Sequence, residues 1–122
     1  MILIDTNILI EVYRNNTLIV ESVIKIGQDN IAVSDITCAE LYFGARNKKE
    51  LQTIAKDLKK LEILSIESEI SQKAVALIER YALSHKLSVP DALIAATAIY
   101  YNLPLYTLNT KDFIYIEALK LH

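Results

Sequence analysis

Four carboxylates in this chain stand at positions where a strand hands over to a helix: Asp5, Glu40, Asp91 and Asp112. Asp5 directly follows the apolar run Met1 to Ile4. Glu40 lies shortly after Ile31-Ala32-Val33, Asp91 opens an Ala-rich apolar segment, and Asp112 follows the run Leu103 to Leu108. Carboxylates gathered at one place repel, and without a cation at least one is held protonated. A hard divalent ion relieves that repulsion, and all-oxygen ligation selects Mg²⁺ or Mn²⁺. Such an ion keeps open positions that phosphate oxygens fill, and the matching chemistry is attack of metal-activated water on a phosphodiester.

Other chemistries lack their parts. The two glycines, Gly27 and Gly44, make neither a GxGxxG nor a P-loop, and no serine sits in a G-x-S-x-G elbow. Zinc would have only His85, His122 and Cys38, none at ligand spacing. His85 reads as an exposed helix-end residue and the single Cys38 as packing, with no disulfide available to it.

The elements that must position these acids follow from periodicity. Met1 to Ile4 is apolar without alternation, as in a central strand buried on both faces, and Ile31 to Val33, Leu61 to Ile66 and Leu103 to Leu108 resemble it. Helical spacing lies between them, over Ile36 to Ala45, Lys48 to Lys60, Ile70 to Ser84 and Asp91 to Tyr101. Alternating strands and helices predict a single 1–122 domain of the α/β class. Its architecture would be a three-layer α/β/α sandwich around a mainly parallel sheet of four to five strands, the fifth being Ile116 to Leu121. Ligands of such sheets bind outside the carboxyl ends of the strands.

Each acid also has a plainer reading as a helix-start residue. Thr37-x-x-Glu40 has capping-box spacing, which predicts Glu40 in a first helical turn. Ser88-x-x-Asp91 and Asn109-x-x-Asp112 repeat the arrangement. The readings are compatible, because helix N-termini at that edge aim their side chains into the crevice.

Composition narrows the partners. A net charge of −2 argues against coating nucleic acid by bulk electrostatics, leaving Arg14, Arg46, Lys48, Lys49 and Lys111 as local cations for phosphates. No window is apolar enough for a membrane span, and Met1 to Ile4 is too short for a signal peptide, so a cytoplasmic address is expected. Apolar residues between Leu51 and Leu58, with Tyr42, Tyr100 and Tyr101, exceed what a small sheet needs to cover. They predict a homodimer whose acidic crevices face a shared groove.

Four segments together resemble the PIN-domain ribonucleases: Leu3-Ile4-Asp5-Thr6-Asn7, Thr37-x-x-Glu40-Leu41 with Gly44, Pro90-Asp91-Ala92-Leu93-Ile94-Ala95-Ala96, and Thr107-x-Asn109-x-x-Asp112-Phe113. Within them, the VapC-type toxins of toxin–antitoxin pairs are the most similar in length and motif order. The resemblance implies that Asp5, Glu40, Asp91 and Asp112 form a catalytic, metal-binding quartet. It makes Thr6, Asn7, Thr107 and Asn109 supporting polar groups, with Asp112 the member that could position the site without touching metal. It further implies Mg²⁺- or Mn²⁺-dependent cleavage of RNA such as tRNA, homodimers, and inhibition by a VapB-like antitoxin whose arginine enters the carboxylates. Two alternatives stay open: a PIN-like RNA- or protein-binding module without turnover, and a receiver-like Mg²⁺-binding signalling domain. The latter would need an adjacent acidic pair where Asp5 stands alone.

Overall fold

The computed structural model describes all 122 residues. Strand β1 (Ile2–Ile4) leads into helices α1 (Thr6–Tyr13) and α2 (Thr17–Ile26). A 3₁₀ turn (Gln28–Asn30), β2 (Ile31–Ser34), α3 (Asp35–Phe43), α4 (Lys48–Leu58) and β3 (Glu62–Leu64) follow. The chain continues with α5 (Ser68–His85), α6 (Val89–Tyr101), β4 (Leu105–Tyr106) and a second 3₁₀ turn (Thr110–Asp112). The four strands form one parallel sheet in the order β3-β2-β1-β4.

Alternation along the strands splits the core into two halves. Leu3 and Ala32 face the layer built by α5, α6 and the C-terminal segment, with Ala92, Ala95, Ile94 and Phe113 against them. Ile4, Ile31 and Val33 face the opposite layer, where α1 to α4 contribute Ile8, Leu9, Leu41, Ile54 and Leu58. The three-layer α/β/α sandwich with a parallel sheet is therefore the architecture observed. Strands β1 and β2 are buried on both faces, which is why they carry no polar alternation. The small residues Ala92, Ala95, Ala96 and Ala98 are all buried, and let α6 pack closely against its neighbours, α5 above all.

Three expectations are corrected. The fifth strand reduces to a single parallel bridge between Leu105 and Leu121, secured by Leu105 N–H to Lys120 O and His122 N–H to Leu105 O at 2.8 Å each. The helix after β2 begins earlier than its capping-box spacing suggests. Ser34, not Thr37, is its N-cap, and its hydroxyl accepts from Thr37 N–H at 3.3 Å. Glu40 is thus the sixth residue of α3 rather than part of its first turn. Finally, Ile54 and Leu58 pack inside, so α4 leaves only the half-exposed Leu51 to add to Tyr42, Phe43 and Tyr100 as outward apolar surface. No helix is long and apolar enough to cross a membrane.

Helix α2 had no reading of its own from the sequence. It carries Leu18 and Ile24 outward and ends at Gly27, whose φ of 89° a side chain would strain.

Candidate active site

Asp5 leaves the carboxyl end of β1 and serves as the N-cap of α1. Its Oδ1 accepts the Thr6 N–H at 2.8 Å, and its Oδ2 accepts the Thr107 hydroxyl at 2.8 Å. The residue is 6% exposed. Burial raises its carboxyl above the usual range; the charges of Glu40 and Asp112 push the same way, while the bonds from Thr107 and Thr6 oppose them.

Glu40 reaches the same place from α3. Thr6 Oγ1 lies 2.7 Å from Glu40 Oε1 and 3.1 Å from Thr37 Oγ1. A carboxylate can only accept, so the Thr6 proton goes to Glu40 and Thr37 is left to donate in return. The start of α1 is thereby tied to α3 through the buried Thr6 and Thr37 and the exposed Glu40.

Asp91 is the third residue of α6, behind the Ser88 N-cap, whose hydroxyl accepts the Asp91 N–H at 3.2 Å, and behind Pro90 in the first turn. Its carboxyl is raised to about 6 by burial first, then by the charge of Asp5, with Asp112 and Glu40 adding and Ser88 opposing. Asp112 sits in the second 3₁₀ turn instead of opening a helix. Asn109 gives that turn no side-chain cap; its backbone carbonyl accepts the Asp112 N–H at 2.9 Å.

The four predicted acids are thus brought within reach of one another's charge near the carboxyl end of β1: Asp5 feels Glu40 and Asp112, and Asp91 feels Asp5, Asp112 and Glu40. The side chains stand apart as well as together: no three acidic, histidine or cysteine groups are gathered tightly enough to hold an ion between them. Their donor set still fits a hard cation, because it is all oxygen and because two of its members are pushed toward protonation by burial and by their neighbours.

The supporting groups divide by role. Thr107 is buried and holds Asp5 while accepting the Asn109 N–H at 3.1 Å. Asn7 ties the β4 loop down, accepting the Leu108 N–H at 3.2 Å and approaching Thr107 Oγ1 with its own Nδ2 at 3.4 Å. Asn109 acts on Thr107 through its backbone. Two participants were not picked out as site residues from the sequence. Thr37 had signalled itself only as a cap, and Tyr115 gave no signal at all. The Tyr115 phenol is raised by burial and then by the charges of Asp91 and Asp112, which lie within its reach.

Beside Glu40 a groove of about 750 Å³ opens between α1, α3 and α4, lined by Ile10, Tyr13, Leu41 and Ile54 with Arg46 and Lys49. Arg14 and Arg46, two of the candidate phosphate cations, are paired at 3.2 Å with Glu11 and Glu50. Cys38 is buried, and burial raises its thiol, in keeping with a packing role.

A parallel sheet with acids clustered at the end of its central strand defines a class, and comparison with known proteins identifies it. Residues 2–118 match the PIN domain family. The chain is 32% identical to Ribonuclease VapC10 of Mycobacterium tuberculosis, over 98% of this chain and 91% of that protein. Among solved structures, a toxin–antitoxin complex from Klebsiella pneumoniae superposes with a TM-score of 0.83 at 34% identity, covering 98% of this chain and 95% of the other. VapBC2 from Rickettsia felis, bound to a DNA fragment from its promoter, superposes with a TM-score of 0.82 at 30% identity, covering 100% and 98%. The chain belongs to the PIN-domain family and, within it, to the VapC-type toxins.

Proposed function

We propose that this chain is a Mg²⁺- or Mn²⁺-dependent endoribonuclease, the toxin of a type II toxin–antitoxin pair acting in the cytoplasm. The observation that carries this reading is that Asp5, Glu40, Asp91 and Asp112 stand within reach of one another's charge, with Asp5 and Asp91 both pushed toward protonation. The relatives add the substrate class, RNA, with tRNA as one candidate. Asp5, Asp91 and Glu40 would hold the ion, with Asp112 beside them. Bound there, the ion supplies Lewis acidity toward the phosphodiester and a nucleophile at neutral pH.

The chain's own residues set the stage for that chemistry. Thr6 and Thr107 fix the two oxygens of Asp5 through separate bonds, so its carboxylate cannot swing. Thr6 also fixes Glu40, which keeps two carboxylates of different helices in a constant relation. Such preorganisation spares the reaction the cost of orienting ligands.

Incubation of the purified protein with total cellular RNA tests the reading. Discrete fragments are expected in Mg²⁺ or Mn²⁺ and none in chelator. Cleavage indifferent to chelator would remove the metal from the proposal. A second reading, a PIN-fold binding module without turnover, is favoured by one observation: the acids are not drawn tightly enough to enclose an ion. RNA retention without fragments would favour it.

A VapB-like antitoxin is the proposed partner, its tail covering the acids. A homodimer is proposed through the outward apolar side chains Tyr42, Phe43, Leu51 and Tyr100. Light scattering at micromolar concentration should give twice the 13.8 kDa chain mass, and the single-chain mass would end the dimer proposal.

A further inference from the structure

Near Asp91 and Asp112 stands an aromatic stack that the proposed chemistry leaves unused. His85, the last residue of α5, is exposed, and its ring lies parallel to that of Tyr115, centroids 3.9 Å apart and planes 12° apart. Tyr81 supports both edge-on, at 5.0 Å from Tyr115 and 5.9 Å from His85, and is itself 7% exposed. Ser84 Oγ holds His85 Nδ1 at 2.8 Å. The stack borders the acids. Tyr115 follows Asp112 by three residues and feels the charges of both Asp91 and Asp112, and His85 precedes the Ser88 cap of Asp91 by three.

Rings fixed in this way offer a flat face with little left to immobilise, which favours stacking of another planar group. The charges of Asp91 and Asp112 disfavour a phosphate directly against the stack, whereas an uncharged base meets no such penalty and can lie flat on a ring. Single-stranded RNA is held mainly by bases splayed onto aromatic side chains. We infer that a nucleobase of the substrate, next to the phosphate that is cut, stacks on the exposed ring of His85. This inference rests on the ribonuclease reading and extends it. Tyr115 and Tyr81 then act as the backing that keeps the His85 ring flat. His85 is a binding residue and takes no part in the bond-breaking step.

The test is kinetic, on an oligoribonucleotide spanning a cleavage site mapped with the wild-type chain. His85→Ala should raise KM by about five- to 150-fold, the range that one stacked base is worth, with kcat within about twofold. His85→Phe should restore KM. Replacing one nucleotide beside the cut by an abasic residue should raise KM for the wild type and erase the difference between wild type and H85A. A structural role for His85 would show as a fall in melting temperature and would be blind to the abasic change. An unchanged KM in H85A, or an H85F variant as defective as H85A, would overturn the stacking site. Should the wild type cut no RNA with either metal, the ribonuclease reading falls. Stacking is then read by fluorescence anisotropy of a labelled deca-uridylate, and equal affinities for wild type and H85A would overturn it too.

Discussion

Asp5→Asn is expected to lower RNA cleavage by about a thousandfold or more while the chain stays folded. Metal-assisted stabilisation of a phosphodiester transition state is worth several kcal/mol, and about 4 kcal/mol corresponds to that factor. Asp5 is the acid with the least freedom to be replaced by a neighbour, since it is buried at the end of the central strand and both its oxygens are already aimed. The substitution removes charge and keeps shape. Asparagine caps helices as well as aspartate does, so the Thr6 N–H retains its acceptor. The new amide N–H₂ faces Thr107 Oγ1, which can turn from donor to acceptor. Circular dichroism should therefore match the wild type, and fragment formation from total RNA should vanish. A D5N protein that still cuts within tenfold of the wild-type rate would remove Asp5 from the metal site.

Asp5 was legible in the sequence because its signal is local. An apolar strand with no alternation stops at a carboxylate, and the parallel sheet dictates where such an end must lie. Asp91 was legible for the same reason, through Ser88 and Pro90, and its position in α6 is the one the spacing indicated. Glu40 was expected in the first turn of its helix and stands a turn further along. Two hydroxyls, Ser34 and Thr37, compete for the cap of α3, and only tertiary packing decides between them. Ser34 ends a strand that is buried on both faces, so the turn has to be made there, and Thr37 is released to face Thr6 across the crevice.

Contacts across long separations left no mark in the sequence. The Thr107 bond to Asp5 spans 102 residues: the resemblance marked Thr107 as a supporting group, and nothing in the sequence said which acid it holds. The stack of His85 on Tyr115 joins a helix end to a C-terminal loop, so reading His85 as an exposed helix-end residue was accurate about its backbone and silent about its ring. The fifth strand failed for a complementary reason. Ile116 to Leu121 is apolar enough for a strand, but Phe113 and Ile116 are drawn into the core, and only Leu121 reaches alignment with β4.

Asp91→Asn should make the metal-free protein more stable at neutral pH even as it abolishes cleavage. The folded-state carboxyl of Asp91 is raised to about 6 from its ordinary 3.8, by burial first and by Asp5 second. A raised acid binds its proton more tightly when folded, so between pH 4 and 6 the native state carries more protons than the unfolded chain. Stability from this group is then highest below about pH 4, falls as pH rises through that window, and stays low above it. The full shift would amount to roughly 3 kcal/mol. Asp91 is only partly buried, and solvent screening reduces the effect to about 1–2 kcal/mol. Asparagine at this position loses the favourable charge at the α6 N-terminus, about 0.3–1 kcal/mol, which leaves a net gain of about 1 kcal/mol. The Ser88 cap is untouched because it receives the backbone N–H.

Urea unfolding in chelator reads the difference directly. D91N and wild type should have similar midpoints near pH 4, and D91N should be ahead at pH 7.5. Added Mg²⁺ or Mn²⁺ should raise the wild-type midpoint at pH 7.5 and leave that of D91N nearly where it was, since binding to the native state alone stabilises by mass action. A D91N midpoint at or below the wild type at pH 7.5 would mean that the four acids are not strained against one another. The convergence on which the ribonuclease reading stands would then lose its electrostatic support. The expected result ties instability and function to the same residue: a carboxylate buried within reach of other acids is what a divalent ion relieves.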